Sequence, residues 1–520
     1  MKKGQMTYTS VSADEAVHKN YEDALAKLEL GKSYPIHVGE DEIFSLPQFE
    51  VRAPFDTTIL IAKFPVTSPV LIRSAITIAK NAFPAWEEKG WVERASILKK
   101  TARILERETY SLAALITCEA GKTREEALAE VGEAVAMIRY HVGIYSQNKG
   151  FVKTLKAGSD RETCKSVMRP YGIWAVISPF NFPLALVTGM ASAALLCGNT
   201  VILKPASAAP VSCLRLYQAF IKAGIPSGAV HFLTGPGDTF GEIVTAHPDI
   251  EGIAFTGSRD AGIRLRREFS ERQPNPKPLV AEMGSKNPVI VTAHADLDKA
   301  AEGVIRSAFG YGGQKCSAAA RVYVHHEVYK AFLKALKDRT AILTIADPRK
   351  RSTFSGPLID AGAVNRFRDI IIRTRRDGGN IITGGVVLTG KQYGNGHFVQ
   401  PTIATGLPRG HPYFRSELFV PFLIVEEVQN LEEAVQEAND TDFGLTAGIF
   451  SEDEQELNYF FSSIRSGVTY ANRRGGATTG AWPGLQPFGG WKASGSTGKG
   501  VGGPWYLHSY LREQSQTRVS

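Results

Sequence analysis

Residues 171–205 read YGIWAVISPFNFPLALVTGMASAALLCGNTVILKP. From Tyr171 to Leu203 no residue is charged, which admits two readings: a membrane span, or a segment buried inside a soluble core. Pro179, Asn181, Pro183, Gly189, Gly198 and Asn199 interrupt the run. Two β-rich stretches, Trp174–Ser178 and Thr200–Leu203, bracket a helix of small residues. A buried strand–loop–helix–strand unit accounts for this pattern, and no membrane segment is expected.

Outward from that unit the alternation continues. Strand-like runs at Val230–Leu233, Gly252–Phe255 and Leu279–Ala281 are separated by helical or turn-rich sequence, which predicts a parallel sheet covered on both faces. A second series, Val322–His325, Phe398–Ala404, Phe422–Val425, Ala447–Phe450 and Gly467–Ala471, predicts a second α/β region. Upstream, Ile72, Ala75, Ile76, Ala79, Phe83 and Trp86 recur at helical spacing, as do Leu128, Val131, Val135 and Ile138 in a helix from Arg124 to Val142. A charged segment from Tyr21 to Leu30 also reads as helical. The polar segment Lys149 to Arg169 reads as a projecting hairpin with which the tail from Gly500 can pair.

Bulk properties narrow the class. At 520 residues the chain exceeds one compact core, so two or three domains are expected. The net charge of +8 is spread along the chain, and the short basic clusters lack aromatic interleaving, so no nucleic-acid partner is expected. Five cysteines at wide spacing, with no C-x-x-C, indicate neither a disulfide framework nor a metal site. No apolar run follows Met1, so a cytoplasmic location is expected.

Several short motifs can carry chemistry. In Gly310-Tyr311-Gly312-Gly313-Gln314-Lys315-Cys316-Ser317 a glycine turn precedes a cysteine, which is either a nucleophile whose thiolate is favoured or a small buried thiol. Glu282 ends an apolar strand and is either a general base with a raised pKa or a solvated carboxylate. In Ser178-Pro179-Phe180-Asn181-Phe182-Pro183 the Asn181 amide either donates to an oxyanion or caps the next helix. Lys204 places a cation at a strand end where a sheet's ligand crevice lies. Gly235-Pro236-Gly237 resembles a dinucleotide loop with altered spacing, and Phe255-Thr256-Gly257-Ser258 opens a helix whose backbone N–H groups can hold pyrophosphate.

Taken in order, Ser-Pro-Phe-Asn-Phe-Pro, Lys-Pro, Phe-Thr-Gly-Ser, Glu-x-Gly-x-Lys-Asn-Pro, Gly-Gln-Lys-Cys, Glu-Leu-Phe and Pro-Phe-Gly-Gly resemble the aldehyde dehydrogenase superfamily from about residue 50 to the end. Glu282 and Cys316 stand 34 residues apart, the spacing of that family. The resemblance implies a Rossmann-like cofactor domain (1–148 and 173–281), a catalytic α/β domain (282–495), and an oligomerisation hairpin with a C-terminal arm (149–172 and 496–520). It implies that Cys316 adds to the aldehyde while Asn181 and the Cys316 N–H hold the oxyanion. Glu282 then helps water release the acid. Ser178, Pro179, Phe180, Lys204, Ser207, Gly237, Phe255, Gly257, Ser258, Glu417 and Phe419 would contact NAD. Ser207 stands where many NAD-specific relatives carry Glu, so NADP is also admitted.

Within that superfamily the chain most resembles the 1-pyrroline-5-carboxylate dehydrogenases, which oxidise glutamate γ-semialdehyde to glutamate. The N-terminal extension with Tyr21-Glu22-Asp23-Ala24-Leu25, the serine after Cys316, and Thr479-Gly480-Ala481 seven residues before Phe488 carry that likeness. It implies an α-carboxylate held by Ser317, Gly480 and Ala481, an aliphatic part between Phe182 and Phe488, and an α-ammonium group at Glu133. Glu133 lies opposite its helix's apolar stripe, which equally fits a solvated charge. The loop Glu417-Leu418-Phe419-Val420-Pro421 departs from the family's Glu-Ile-Phe-Gly-Pro. The alternative substrates are another semialdehyde or a simple aliphatic aldehyde. A small-molecule aldehyde and a second copy of the chain are the expected partners, because the hairpin and C-terminal strand leave edges to pair.

Overall fold

The computed structural model describes residues 14–45, 47–475 and 482–520. The uncharged stretch forms strand Ile173–Ser178, helix Ala185–Leu196 and strand Thr200–Pro205. All of that helix except Leu186 is buried, as a helix apolar on every face requires. Among the described residues no helix is long and apolar enough to cross a membrane.

The first sheet orders its strands Leu279–Glu282, Ile250–Thr256, Ile173–Ser178, Thr200–Pro205, Val230–Phe232, Ile36–Val38 and Asp41–Ile43. From Ile173–Ser178 the chain steps outward through Thr200–Pro205 and Val230–Phe232, in parallel. It then returns to the opposite side of Ile173–Ser178 with Ile250–Thr256 and Leu279–Glu282. That reversal opens a crevice beyond Ser178 and Thr256, at the carboxyl ends of two adjacent strands. The two N-terminal strands join antiparallel, from a region whose sequence reads only as extended.

The second sheet orders Asn380–Thr383, Thr402–Thr405, Phe422–Val428, Ala319–His325, Asn287–Val291, Thr446–Phe450 and Val468–Ala471. Its strands are parallel except Asn380–Thr383 at one edge. The expected strand Phe398–Ala404 is shorter here: Pro401 lacks a donor, so Val399 makes only an isolated bridge to Val387 and the ladder starts at Thr402. The N-terminal helix also differs from expectation, running Glu15–Ala26 from an Asp14 cap.

Helices bury the first sheet. Helix Pro69–Glu88 starts from a Ser68 cap with proline in its first turn and buries Ile72, Ala75, Ile76, Ala79 and Trp86. Buried Arg94 gathers helix-terminal carbonyls, donating to Leu196 O at 3.0 Å and Glu87 O at 2.8 Å. Helix Arg124–Gln147, capped by Thr123, extends beyond its expected end and packs on Ala185–Leu196. A separate three-stranded sheet pairs Val152–Leu155 with Glu162–Pro170, and Glu162–Pro170 with Leu511–Val519, whose residues after Leu511 are exposed. This is the hairpin joined by the C-terminal tail.

In the first sheet Gly252 faces Trp174 across the parallel ladder, and a Cβ there would overlap the buried indole. Gly252→Ala should therefore cost about 1–3 kcal/mol through overpacking. A thermal midpoint equal to that of the parent chain would refute this account.

Candidate active site

A cleft of about 460 Å³ occupies the crevice at the switch point. It brings together Ser178, Pro179, Phe180 and Asn181 from the first loop, Lys204, and Phe255, Gly257 and Ser258 from the neighbouring strand end. From the second sheet's side come Cys316, Glu417 and Phe419. Ser207 and Gly237 are outside this lining. The Ser207 hydroxyl donates to Gly235 O at 3.0 Å, and Gly237 opens the helix Gly237–Ala246 on the surface.

The loop after Ser178 holds its amide firmly. Asn181 is buried and donates one Nδ2 hydrogen to Gln314 O at 3.0 Å, which orients the amide and leaves its second N–H for another acceptor. Asn181 does not cap the next helix. The Leu184 and Ala185 N–H groups at its start are taken by Glu130 Oε1, at 2.8 and 3.1 Å.

The residues on the dinucleotide side fit such a ligand. Ser178 Oγ is buried without a hydrogen-bond partner among the described residues, so a polar group is wanted there. Among the described residues Lys204 Nζ donates to Pro205 O, and burial lowers its pKa to about 8, opposed by the Asp238 carboxylate. Ser258 caps helix Arg259–Arg272, whose N-terminus opens on the cleft. Across from it, Glu417 Oε1 accepts the Ser285 N–H at 2.8 Å. A Cβ on Gly284 would lie 2.5 Å from Glu417 Oε2, so only glycine lets the carboxylate approach. Phe419 stands edge-on to Phe180 at 6.0 Å in a left-handed backbone conformation, φ 56°.

Cys316 sits just before strand Ala319–His325, at the amino ends of the second sheet. Gly313 makes the approach possible: its φ is 67°, and a Cβ would lie 2.6 Å from Val420 O. Val420 thus supports the nucleophile turn with its backbone, which its side chain does not alter. Asn287, the first residue of its strand, donates to Cys316 O at 2.7 Å and accepts the Thr446 N–H at 2.9 Å. Asn287 carried no role in the sequence reading. Its place inside the Glu-x-Gly-x-Lys-Asn-Pro motif was the available signal.

The thiol itself is not held as a thiolate. Burial and then the Glu417 and Glu282 carboxylates push its pKa up to about 12, with its own backbone N–H working the other way. Of the two expected readings, burial and these carboxylates disfavour the thiolate, so a nucleophilic Cys316 would need a base to take its proton. Glu282, the last residue of its strand, is that candidate. Its Oε2 accepts the Gly490 N–H at 2.9 Å, and burial raises its pKa well above the ordinary carboxylate value.

Of the candidate substrate residues, Glu133 and Ser317 are buried. The burial of Glu133 removes the reading of a solvated charge, and its carboxylate adds to the field that raises the Cys316 pKa. Phe182 is partly buried, with Lys122 Nζ 3.3 Å from its ring centroid. Phe488 is partly buried and bridges to Val501. Gly480 and Ala481 lie outside the described residues.

Comparison with known proteins places this geometry. The sequence pattern of the aldehyde dehydrogenase family matches residues 44–516. The chain is 34% identical over 510 residues to a 1-pyrroline-5-carboxylate dehydrogenase of Geobacillus sp. (strain WCH70), covering 97% of each. A structure of 1-pyrroline-5-carboxylate dehydrogenase from Thermus with bound NAD is 31% identical, with a TM-score of 0.93 over 98% of this chain and 97% of that one. An NADP-dependent enzyme of E. coli is 29% identical, with a TM-score of 0.86 over 94% of this chain and 98% of that one. This chain belongs to the aldehyde dehydrogenase family.

Proposed function

We propose that this protein oxidises L-glutamate γ-semialdehyde, formed from 1-pyrroline-5-carboxylate, to L-glutamate with NAD. The observation that carries the reading is convergence: Cys316 and Asn181 line one cleft with Lys204, Ser258 and Glu417, and the Glu282 carboxylate bears on the sulfur. Lys204, the N-terminus at Gly257 and Ser258, Ser178 Oγ and Glu417 would hold the dinucleotide. When bound, the oxidised nicotinamide supplies a hydride acceptor and a positive charge.

The chain's own groups account for the rest. Glu282 takes the thiol proton as the sulfur adds to the carbonyl carbon, while the second N–H of Asn181 and the Cys316 N–H hold the oxyanion that forms. Loss of hydride leaves an acyl thioester on Cys316. Glu282, having passed that proton to solvent, takes one from water as the hydroxide adds to the thioester, and returns it to the sulfur as the acid leaves. Retention of Glu282 supports release to water rather than to coenzyme A.

The substrate assignment rests on the relatives and on the buried carboxylate of Glu133, which would face an α-ammonium group. Phe182 and Phe488 would enclose the methylenes, with Ser317, Gly480 and Ala481 at the α-carboxylate. Ser207 carries no charge, so NADP is accepted as well. The hairpin and the exposed strand Leu511–Val519 present unpaired edges, which supports a homo-oligomer. Five free cysteines suit a reducing cytoplasm.

A substrate panel tests the assignment, with Cys316→Ala as the blank. The kcat/KM for glutamate γ-semialdehyde should exceed those for succinic semialdehyde and simple aliphatic aldehydes at matched NAD and NADP concentrations. Equal values would sink the substrate reading and leave the chemistry standing. A base works only when deprotonated, and Glu282 deprotonates at a raised pKa, so kcat should rise with pH through the range above the usual carboxylate value. Glu282→Gln should lower kcat by about 10²–10⁴-fold and abolish that rise; a profile unchanged by the substitution would remove Glu282 from the mechanism. With a Cys316 pKa near 12, alkylation by iodoacetamide in the absence of NAD should be slow at pH 7. It should speed up about tenfold per pH unit to pH 9, since only the thiolate reacts.

A further inference from the structure

The start of helix Arg124–Gln147, with the turn before it, touches both the loop of Asn181 and the glycine turn before Cys316. Lys122 and Glu130 are fully buried and paired, Nζ to Oε2 at 2.7 Å. The other carboxylate oxygen, Glu130 Oε1, takes the N–H groups of Leu184 and Ala185, three and four positions after Asn181. Lys122 Nζ lies 3.3 Å from the Phe182 ring centroid, and 5.1 Å from that of Tyr311 in the glycine turn before Cys316. The Tyr311 hydroxyl donates to Ala120 O at 2.7 Å, which closes the contact from the second loop.

Helix Ala185–Leu196 has no side-chain cap of its own, and Glu130 supplies the acceptor for the N–H groups of Leu184, at its N-cap, and Ala185, its first residue. A carboxylate at a buried helix N-terminus is favourable only where its charge is matched, and Lys122 matches it. The pair thus fixes where the loop Pro179–Pro183 ends, while the Asn181–Gln314 bond fixes where its amide points.

We infer that Glu130, held by Lys122, is the positioning residue for the oxyanion-holding amide of Asn181. The inference rests on the role of Asn181 given above. Glu130 is fully buried outside the cleft lining and acts through the backbone of residues 184 and 185. Its removal should lower kcat with little change in KM.

The test is a double-mutant cycle on the full-length enzyme with NAD and glutamate γ-semialdehyde. E130A with K122M removes the acceptor without leaving a buried unpaired charge. It should lower kcat by about 10–100-fold, within the loss expected when one oxyanion donor is misplaced. E130Q with K122M should recover most of that, because the amide oxygen still accepts both N–H groups. In an N181A background E130A with K122M should lower kcat no further, since the group it positions is gone. A full multiplicative loss in that background, or an unchanged kcat in folded E130A with K122M, would overturn the inference. An unchanged kcat in N181A alone would instead overturn the role of Asn181. Should the alanine pair not fold, E130Q with K122M carries the same cycle: a residual loss that persists undiminished in N181A refutes the proposal, and one that vanishes there supports it.

Discussion

The site depends on one short covalent constraint, the segment from Glu282 to Asn287. Glu282 is the last residue of the first sheet and Asn287 the first of a central strand in the second. The four residues between them can span only on the order of 15 Å, so the two sheets are tied end to mouth. The segment is pinned along its length. Met283 N–H donates to Ser494 O at 2.8 Å, Ser494 Oγ to Gly284 O at 2.7 Å, and the buried Arg321 guanidinium to Lys286 O at 2.7 Å. Much of the site hangs from this tie: the carboxylate at 282, the Glu417 contacts at 284 and 285, and the bond from 287 to Cys316 O.

Charge is arranged around the sulfur with the opposite logic to an activated thiolate. Glu417, Glu282 and Glu133 raise the Cys316 pKa, while the nearby cations are spent on other carboxylates. Lys122 pairs with Glu130, both buried, and Lys315 with the partly buried Glu126, each at 2.7 Å. Burial and Arg321 lower Lys286 to about 7, which weakens it as a source of positive field. Such surroundings disfavour the thiolate, so a nucleophilic Cys316 would need a base.

What was legible follows from how local each signal is. The first sheet could be read from residues 171–281 because parallel strands buried on both faces are continuous apolar runs, and the switch point then locates the crevice. Cys316, Glu282 and Asn181 stand in motifs that each admit a second reading, and it is the family resemblance of the ordered set that joins them into one site. The strands at Ile36–Val38 and Asp41–Ile43 were not legible, because each is three residues long and their hairpin joins the sheet through Phe232 against His37, nearly two hundred residues apart. Nor was the helix capping: Glu130 serves Ala185–Leu196, and Glu119 serves Ser212 N–H at 3.0 Å in helix Pro210–Ala223, whose own cap position holds alanine. A cap borrowed across the core leaves no mark at the helix it serves.

The second sheet shows why fold rules locate only half of this site. The rule for open α/β sheets points to carboxyl ends, and the first sheet obeys it with Ser178, Lys204 and Thr256 at strand ends. The second sheet presents its amino ends instead: Cys316 precedes Ala319, Glu417 precedes Phe422, and Asn287 and Thr446 open their strands. This follows from the tie at Glu282–Asn287. A chain that leaves one sheet at a carboxyl end and enters the next within four residues must meet it at an amino end. The cleft is therefore built from ends of opposite sense, with helix and strand termini that suit phosphates on one side and a glycine turn that bares a sulfur on the other.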